Sequence, residues 1–117
     1  MNLNRIRQYK VKQYIYIVQQ AVRPSECIIG MTEDTARRLK VFNDNEEGKV
    51  YRYLFVCEVE DMVEILNDLR EEFFTYRLPV EDELYFLNDD LFKIYIDYLK
   101  AHPMFEDVIF VKKNAFV

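Results

Sequence analysis

Apolar and polar side chains alternate near the start of the chain. Residues 9–20 are rich in β-branched and aromatic side chains and predict a first strand. Side chains of a strand point alternately to its two faces. One face should therefore carry basic and aromatic residues: Lys10, Lys12, Tyr14 and Tyr16. The opposite face should carry Val11, Ile15 and Ile17. A turn at residues 23–26 then predicts a hairpin with a second strand over residues 27–31.

Three segments show apolar residues at the three-to-four-residue spacing of helices. The first runs from about Asp34 to Asn43 and should bury Ala36, Leu39 and Phe42. The second begins after Asp61, which predicts an N-cap, and runs to about Tyr76. Its predicted core stripe is Met62, Ile65, Leu66, Leu69 and Phe73. The third begins at residues 88–90 and reaches about residue 101, because a proline at position 103 cannot continue it.

Two more strands complete the predicted fold. Residues 49–60 should form a strand with one face made of Tyr51, Tyr53, Phe55 and Cys57. Both faces become apolar toward its end, which favours a place inside the sheet. Residues 105–112 predict a last strand at a sheet edge. The predicted fold is α+β in the order β-β-α-β-α-α-β, a small mixed or antiparallel sheet with flanking helices. It forms one domain over residues 1–117, with a core at about 9–101 and a strand extension at 104–113.

The composition favours a folded, intracellular protein. Half of the 117 residues are hydrophobic, and the chain has only two glycines and three prolines, so we expect long regular elements. We expect no membrane span, because no apolar run approaches about 18 residues. The first five residues resemble no signal peptide. Cys27 and Cys57 lie in apolar strand-like segments and should be buried free thiols.

Charge is distributed unevenly along the chain. Residues 1–56 contain ten Lys and Arg against six Asp and Glu, whereas residues 57–117 contain six against fifteen. The first half therefore has a balance of +4 and the second of −9, within a net charge of −5. A basic half of this kind can attract phosphate while the acidic half faces elsewhere. Ordinary solvated surface is the competing interpretation.

Two short strings and an arginine follow one another at a distinctive spacing. Tyr14-Ile15-Tyr16 is followed by Ile28-Ile29-Gly30, and Arg38 then lies on the first predicted helix. Residues 29–39, 56–61 and 73–86 continue the likeness. In this order they resemble the GIY-YIG nuclease superfamily over roughly residues 13–100. The closest resemblance is to its branch in viral and phage proteins, which often accompanies Bro-N or KilA-N domains.

The resemblance implies hydrolysis of a phosphodiester bond in DNA or RNA. In that family a strand tyrosine assists proton transfer, a helix arginine steadies the phosphate, and a glutamate holds one divalent cation such as Mg²⁺. Tyr16 and Arg38 match the tyrosine and the arginine, and would be the catalytic residues. Five neighbouring side chains would contact the nucleic acid: Lys10, Lys12, Tyr14, Arg37 and Lys40.

Several positions depart from the family pattern. Ile28 stands where the second motif has a tyrosine, and an isoleucine cannot move a proton. On the second helix, Leu66 falls where the metal-binding glutamate belongs. A shifted register brings Glu64 to that place, and Glu83 is a further candidate ligand by position. The phosphate-facing residues are therefore better matched than the metal-holding ones.

An alternative function follows from these departures. A catalytically silent copy of the fold could serve protein–protein interaction, and the acidic half and many aromatic residues favour that interpretation. The edge strand over residues 105–111 could pair with its own copy in a dimer. The acidic half could also imitate nucleic acid and occupy a DNA-binding protein.

Overall fold

The computed structural model describes residues 11–44, 50–79 and 83–113. Five strands and three helices follow one another along these ranges. Their bounds are β1 Gln13–Gln20, β2 Glu26–Thr32, α1 Thr35–Asp44, β3 Tyr51–Val59, α2 Met62–Glu72, a 3₁₀ helix Phe74–Tyr76, β4 Leu84–Phe86, α3 Asp89–Ala101 and β5 Phe105–Val111. None of the helices in these ranges is both long and apolar enough to cross a lipid bilayer.

The strands form one sheet in the order β4-β2-β1-β3-β5. Every neighbouring pair is antiparallel. This confirms the α+β class, the β1–β2 hairpin, the interior position of β3 and the edge position of β5. The predicted element order was wrong in one respect, because it lacked β4. Three residues are too few to show alternation, and they become a strand only by pairing with β2, from Glu26 opposite Phe86 to Ile28 opposite Leu84.

The two faces of β1 carry different hydrophobic clusters. Ile15 and Ile17 point into the main core, which α2 and α3 cover. Tyr16 and Val18 point to the opposite face and pack in a smaller cluster with Val56. Helix α1 covers this second face. The predicted alternation is therefore confirmed from Tyr14 to Ile17, and it separates the sheet into a thick and a thin layer. Val11 and Lys12 lie before the strand begins, and Val11 is exposed rather than packed with Ile15 and Ile17.

A bulge in β3 overturns the prediction that Tyr51, Tyr53, Phe55 and Cys57 share one face. Ile17 of β1 lies opposite Phe55, but the next residue, Val18, lies opposite Tyr53, so Leu54 is the extra residue. An extra residue reverses the alternation beyond it. Phe55 and Cys57 consequently join the main core, whereas Tyr51 and Tyr53 pack on the Tyr16 side.

Helix α1 is the least buried of the three described α-helices. It has no fully buried residue; Leu39 and Phe42 are partly buried against the smaller cluster, and Ala36 is exposed. The predicted burial of Ala36 was therefore wrong. The thin layer has only a few large side chains for α1 to cover, so a narrow stripe of the helix reaches the sheet.

Helix α2 begins and ends for local reasons. The side chain of Asp61 accepts hydrogen bonds from the backbone nitrogens of Val63 and Glu64, which confirms the predicted N-cap. Ile65, Leu66 and Leu69 are buried in the main core, as predicted. The α-helix ends at Glu72 and is followed by the 3₁₀ helix, so the predicted end at about residue 76 was wrong. Cys27 and Cys57 are buried free thiols, which confirms that prediction.

Loss of the Asp61 cap should be measurable. We expect Asp61→Ala to lower the free energy of unfolding by about 1 kcal/mol, because two backbone donors of α2 lose their acceptor. Asp61→Asn, which keeps an acceptor oxygen, should lose much less. Urea unfolding followed by far-UV circular dichroism measures both changes. Equal losses in the two variants would show that the cap is not what stabilises the helix.

Candidate functional site

A hydrogen bond joins β1 to α1 on the thin layer of the fold. Nε of Arg38 donates to the hydroxyl oxygen of Tyr16 over 3.1 Å. Tyr16 points to this face because of the strand alternation, and α1 follows β2 directly and lies over the same face. The structure therefore brings together the two residues that the sequence singled out as catalytic. Tyr16 is only 1% exposed, so Arg38 is the member of the pair that solvent can reach.

Gly30 makes room for the Tyr16 ring. It lies directly opposite Tyr16 in the β1–β2 ladder. A Cβ atom at Gly30 would lie 2.5 Å from the Tyr16 hydroxyl oxygen and 2.7 Å from Cζ. The missing side chain therefore allows the ring to lie across β2 and to present its hydroxyl to Arg38. Gly30 is required by a neighbouring side chain, which no local turn signal in the sequence indicates.

Aromatic rings support the Arg38 guanidinium. Its central carbon lies 4.6 Å from the centre of the Phe42 ring, one helical turn further along α1. Phe42 in turn stacks on Tyr51 with ring centres 5.0 Å apart. The hydroxyl of Tyr53 donates to the carbonyl oxygen of Thr35 over 2.8 Å and fastens the start of α1 to the sheet. These contacts restrict the orientation of the Arg38 guanidinium.

The protonation states in this cluster follow from burial and from the Tyr16–Arg38 bond. Burial raises the pKa of Tyr16, an effect that Arg38 partly offsets. The hydroxyl is thus protonated at neutral pH. The hydrogen bond to Tyr16 raises the pKa of Arg38, so the guanidinium stays charged. Burial also raises the pKa of Tyr53 to about 12. The pair is a neutral phenol that holds a cation in place.

An open groove lies beside Arg38 where α1 begins. It has a volume of about 370 Å³ and is lined by Thr32, Glu33, Asp34, Arg37, Arg38 and Val41. Asp34 uses its carboxylate to accept from the backbone nitrogen of Arg37 over 3.0 Å, which caps the helix. Arg37 and Arg38 place two cationic side chains on this groove, here named the α1 groove.

The family model of the T5orf172 domain matches residues 13–105, which include every described strand up to the start of β5. The chain belongs to the T5orf172 domain family. This domain is associated with nuclease-like proteins of the GIY-YIG and HNH-like kinds. The narrower assignment to the GIY-YIG superfamily stays a prediction. No curated protein and no solved structure matches the chain significantly.

The other predicted nucleic-acid contacts of this T5orf172 domain are distributed around α1 and β1. Tyr14 packs beside Tyr16 in the smaller cluster. The side-chain nitrogen of Lys12 lies 4.0 Å from a Glu58 carboxylate oxygen, and that of Lys40 lies 2.8 Å from Asp44. Lys10 lies outside the described residues. Among the described candidates, only Arg37 joins Arg38 in lining the α1 groove.

The two carboxylates that the sequence offered as metal ligands lie in different parts of this T5orf172 domain. Glu64 is exposed on α2, and α2 covers the opposite face of the sheet from Tyr16. Leu66, at the aligned glutamate position, is 1% exposed in the main core. Glu83 lies beside β2, where its carbonyl oxygen accepts from the nitrogen of Ile29 over 3.1 Å. Its charge raises the pKa values of both Tyr16 and Arg38.

Glu83 is already engaged by a cation. One of its carboxylate oxygens lies 3.3 Å from a terminal nitrogen of Arg70. Within residues 11–44, 50–79 and 83–113, no group of three His, Cys, Asp or Glu side chains could hold a metal ion. Of the two predicted ligands, only Glu83 has a charge that acts on Tyr16 and Arg38, and its carboxylate pairs with Arg70.

Sequence reasoning missed two contacts at the site and assigned one residue to the wrong face. The support of Arg38 by Phe42 had a signal, because residues four apart face the same side of a helix. The pairing of Arg70 with Glu83 had none, since it joins α2 to the residue before β4, which was not predicted as a strand. Tyr53 was assigned to the wrong face because of the Leu54 bulge.

Proposed function

We propose that this T5orf172 domain binds the phosphate backbone of DNA or RNA in the α1 groove, with Arg38 as the principal contact. The observation that carries the proposal is the hydrogen bond from Nε of Arg38 to the Tyr16 hydroxyl. It holds the guanidinium plane in one orientation. Among the described residues, the two terminal nitrogens of Arg38 donate no hydrogen bond, so they are available to two phosphate oxygens.

One further feature favours an anion in this groove, because Arg37 adds a second cation beside Arg38. Glu33 and Asp34 also line the groove, and the Asp34 carboxylate already accepts from the first turn of α1, so the two arginines rather than the helix terminus carry the attraction. Phosphate contacts of this kind position a protein on nucleic acid without reading its sequence. The proposal therefore expects binding with little dependence on base sequence.

The proposal does not include cleavage of the backbone. Hydrolysis in this fold family would need a carboxylate-held cation, and Glu83, the predicted ligand whose charge acts on Arg38, already pairs with Arg70. A buried, protonated Tyr16 is also poorly placed to accept a proton from water. Tyr16 instead acts as a positioning residue that holds Arg38. Binding without hydrolysis agrees with both observations.

Fluorescence anisotropy with labelled single-stranded DNA, duplex DNA and RNA tests the binding proposal. We expect Arg38→Ala to weaken binding by about 10- to 100-fold, since a charge-assisted hydrogen bond contributes about 1.5–3 kcal/mol. The affinity of Arg38→Lys should lie between those of Arg38→Ala and the unchanged protein, because lysine keeps the charge but lacks the planar guanidinium. On duplex DNA, loss of one phosphate contact should also reduce the salt slope by about 0.9.

Arg23→Ala is the matched control. Arg23 is an exposed arginine after β1 that pairs with Glu26 over 3.5 Å, so its loss removes the same charge away from the α1 groove. Equal weakening by Arg23→Ala and Arg38→Ala would reject a localised site in favour of diffuse attraction. A supercoiled plasmid incubated with Mg²⁺ should stay intact. Nicking that disappears in Arg38→Ala would contradict binding without cleavage and restore the hydrolytic function.

A further inference from the structure

Strand β5 leaves one side of the sheet open. It is the last strand in the order β4-β2-β1-β3-β5, and its outer side pairs with no other described strand. Three successive residues near its end are exposed: Ile109 by 50%, Phe110 by 44% and Val111 by 46%. An edge strand with exposed apolar residues has unpaired backbone groups and readily accepts another strand.

Charges along β5 and the two residues after it have a symmetric arrangement. Glu106 and Asp107 are acidic, the four residues from Val108 to Val111 are apolar, and Lys112 and Lys113 are basic. None of the four charged side chains forms an ion pair with another described residue of the chain. The segment from residue 106 to residue 113 therefore has an acidic end and a basic end of equal length, on either side of an apolar middle. Pairing through Lys113 would extend the strand by two residues beyond Val111.

We propose that a second copy of this chain pairs with β5 in an antiparallel arrangement about a two-fold axis. In one register each acidic residue faces a basic one and each apolar residue faces an apolar one. The facing pairs are Glu106 with Lys113, Asp107 with Lys112, Val108 with Val111, and Ile109 with Phe110, and each pair occurs twice. A parallel arrangement in register would instead place like charges opposite each other, which is destabilising.

Two bulges interrupt β5, because the β3–β5 ladder skips Glu106 and Ile109. Bulges increase the right-handed twist of a strand and protect many edge strands from pairing, so a partner strand must have the same twist. Two copies of the same strand carry the same twist, so their edges match when they run in opposite directions. The two five-stranded sheets would then join along their β5 edges.

Two opposite charge variants test the register. Glu106→Lys with Asp107→Lys makes both ends of the strand basic, and Lys112→Glu with Lys113→Glu makes both ends acidic. Light scattering after size-exclusion chromatography should give twice the mass of one chain for the unchanged protein. Each variant alone should be monomeric, with self-association weakened at least about tenfold, because every charged pair becomes repulsive. An equimolar mixture of the two variants should restore a dimer.

Several results would overturn this proposal. The unchanged protein could remain monomeric at about 100 µM, a concentration at which micromolar association is saturated. If each variant dimerises as well as the unchanged chain, the interface lies elsewhere. If the mixture of the two variants stays monomeric, the register is wrong. Lys100→Glu, an exposed reversal on α3, is the control and should leave the dimer unchanged. Far-UV circular dichroism establishes that each variant is folded.

Discussion

Gly30→Ala should destabilise the protein by about 2 kcal/mol, within the range of about 1–3 kcal/mol seen when a packed core receives an extra methyl group. The added carbon would lie 2.5 Å from the Tyr16 hydroxyl oxygen and 2.7 Å from its Cζ atom. The Tyr16 ring cannot easily move aside, because Phe42 and Tyr53 lie against it with ring centres 6.0 and 5.6 Å away. Urea unfolding of Gly30→Ala and of the unchanged protein measures the difference in the free energy of unfolding.

A double-mutant cycle assigns this loss to the proposed contact. In a Tyr16→Leu background the ring atoms that approach Gly30 are absent, so adding Gly30→Ala should cost less than half as much. An equal cost in both backgrounds would show that the alanine disturbs β2 itself rather than Tyr16. The single variant Gly30→Ala should also weaken nucleic-acid binding, because a displaced hydroxyl no longer holds Arg38.

Alkaline pH should destabilise the folded protein. Burial raises the pKa of Tyr16 and Tyr85, and raises that of Tyr53 and Cys57 to about 12. In the unfolded chain the thiol ionises near pH 8.5 and the phenols near pH 10, at about their ordinary pKa values. Above those values the unfolded state binds fewer protons than the folded state. The free energy of unfolding therefore falls as pH rises.

We expect constant stability up to about pH 8 and a steep loss between about pH 9 and 12. Each buried group contributes a slope of up to about 1.4 kcal/mol per pH unit once its unfolded form is ionised. Urea unfolding at a series of pH values measures the slope. Tyrosinate absorbance follows the ionisation directly, because the chain has nine tyrosines and no tryptophan.

Tyr53→Phe is the control for the alkaline prediction. It removes one phenol with a raised pKa. The slope of the free energy of unfolding against pH should therefore lose the contribution of one group above about pH 10. The variant also removes the hydrogen bond to Thr35, which should lower stability by about 1 kcal/mol at every pH below that range. Parallel pH curves for the variant and the unchanged protein would mean that Tyr53 is not among the groups responsible.

Tyr16 and Arg38 show why some of the site could be predicted. Their types and spacing matched a known pattern, and the alternation of β1 placed Tyr16 on the face opposite Ile15 and Ile17. The packing of α1 on that face, which brings Arg38 to Tyr16, is seen only in the tertiary structure. The metal ligands could not be placed in this way. Whether Glu64 or Glu83 lies near Arg38 depends on which face α2 covers and on the pairing of β4 with β2, and both are long-range contacts.

The sequence alone determined the N-cap and the core stripe of α2 and the alternation along β1. These features depend on neighbours within a few residues, where periodicity and capping chemistry act directly. Only the tertiary structure decided the Leu54 bulge, the existence of β4, the fit of Tyr16 over Gly30 and the separation of Glu64 from Arg38. Each of these depends on residues distant in sequence, because strand pairing and packing choose among arrangements that local patterns leave equally possible.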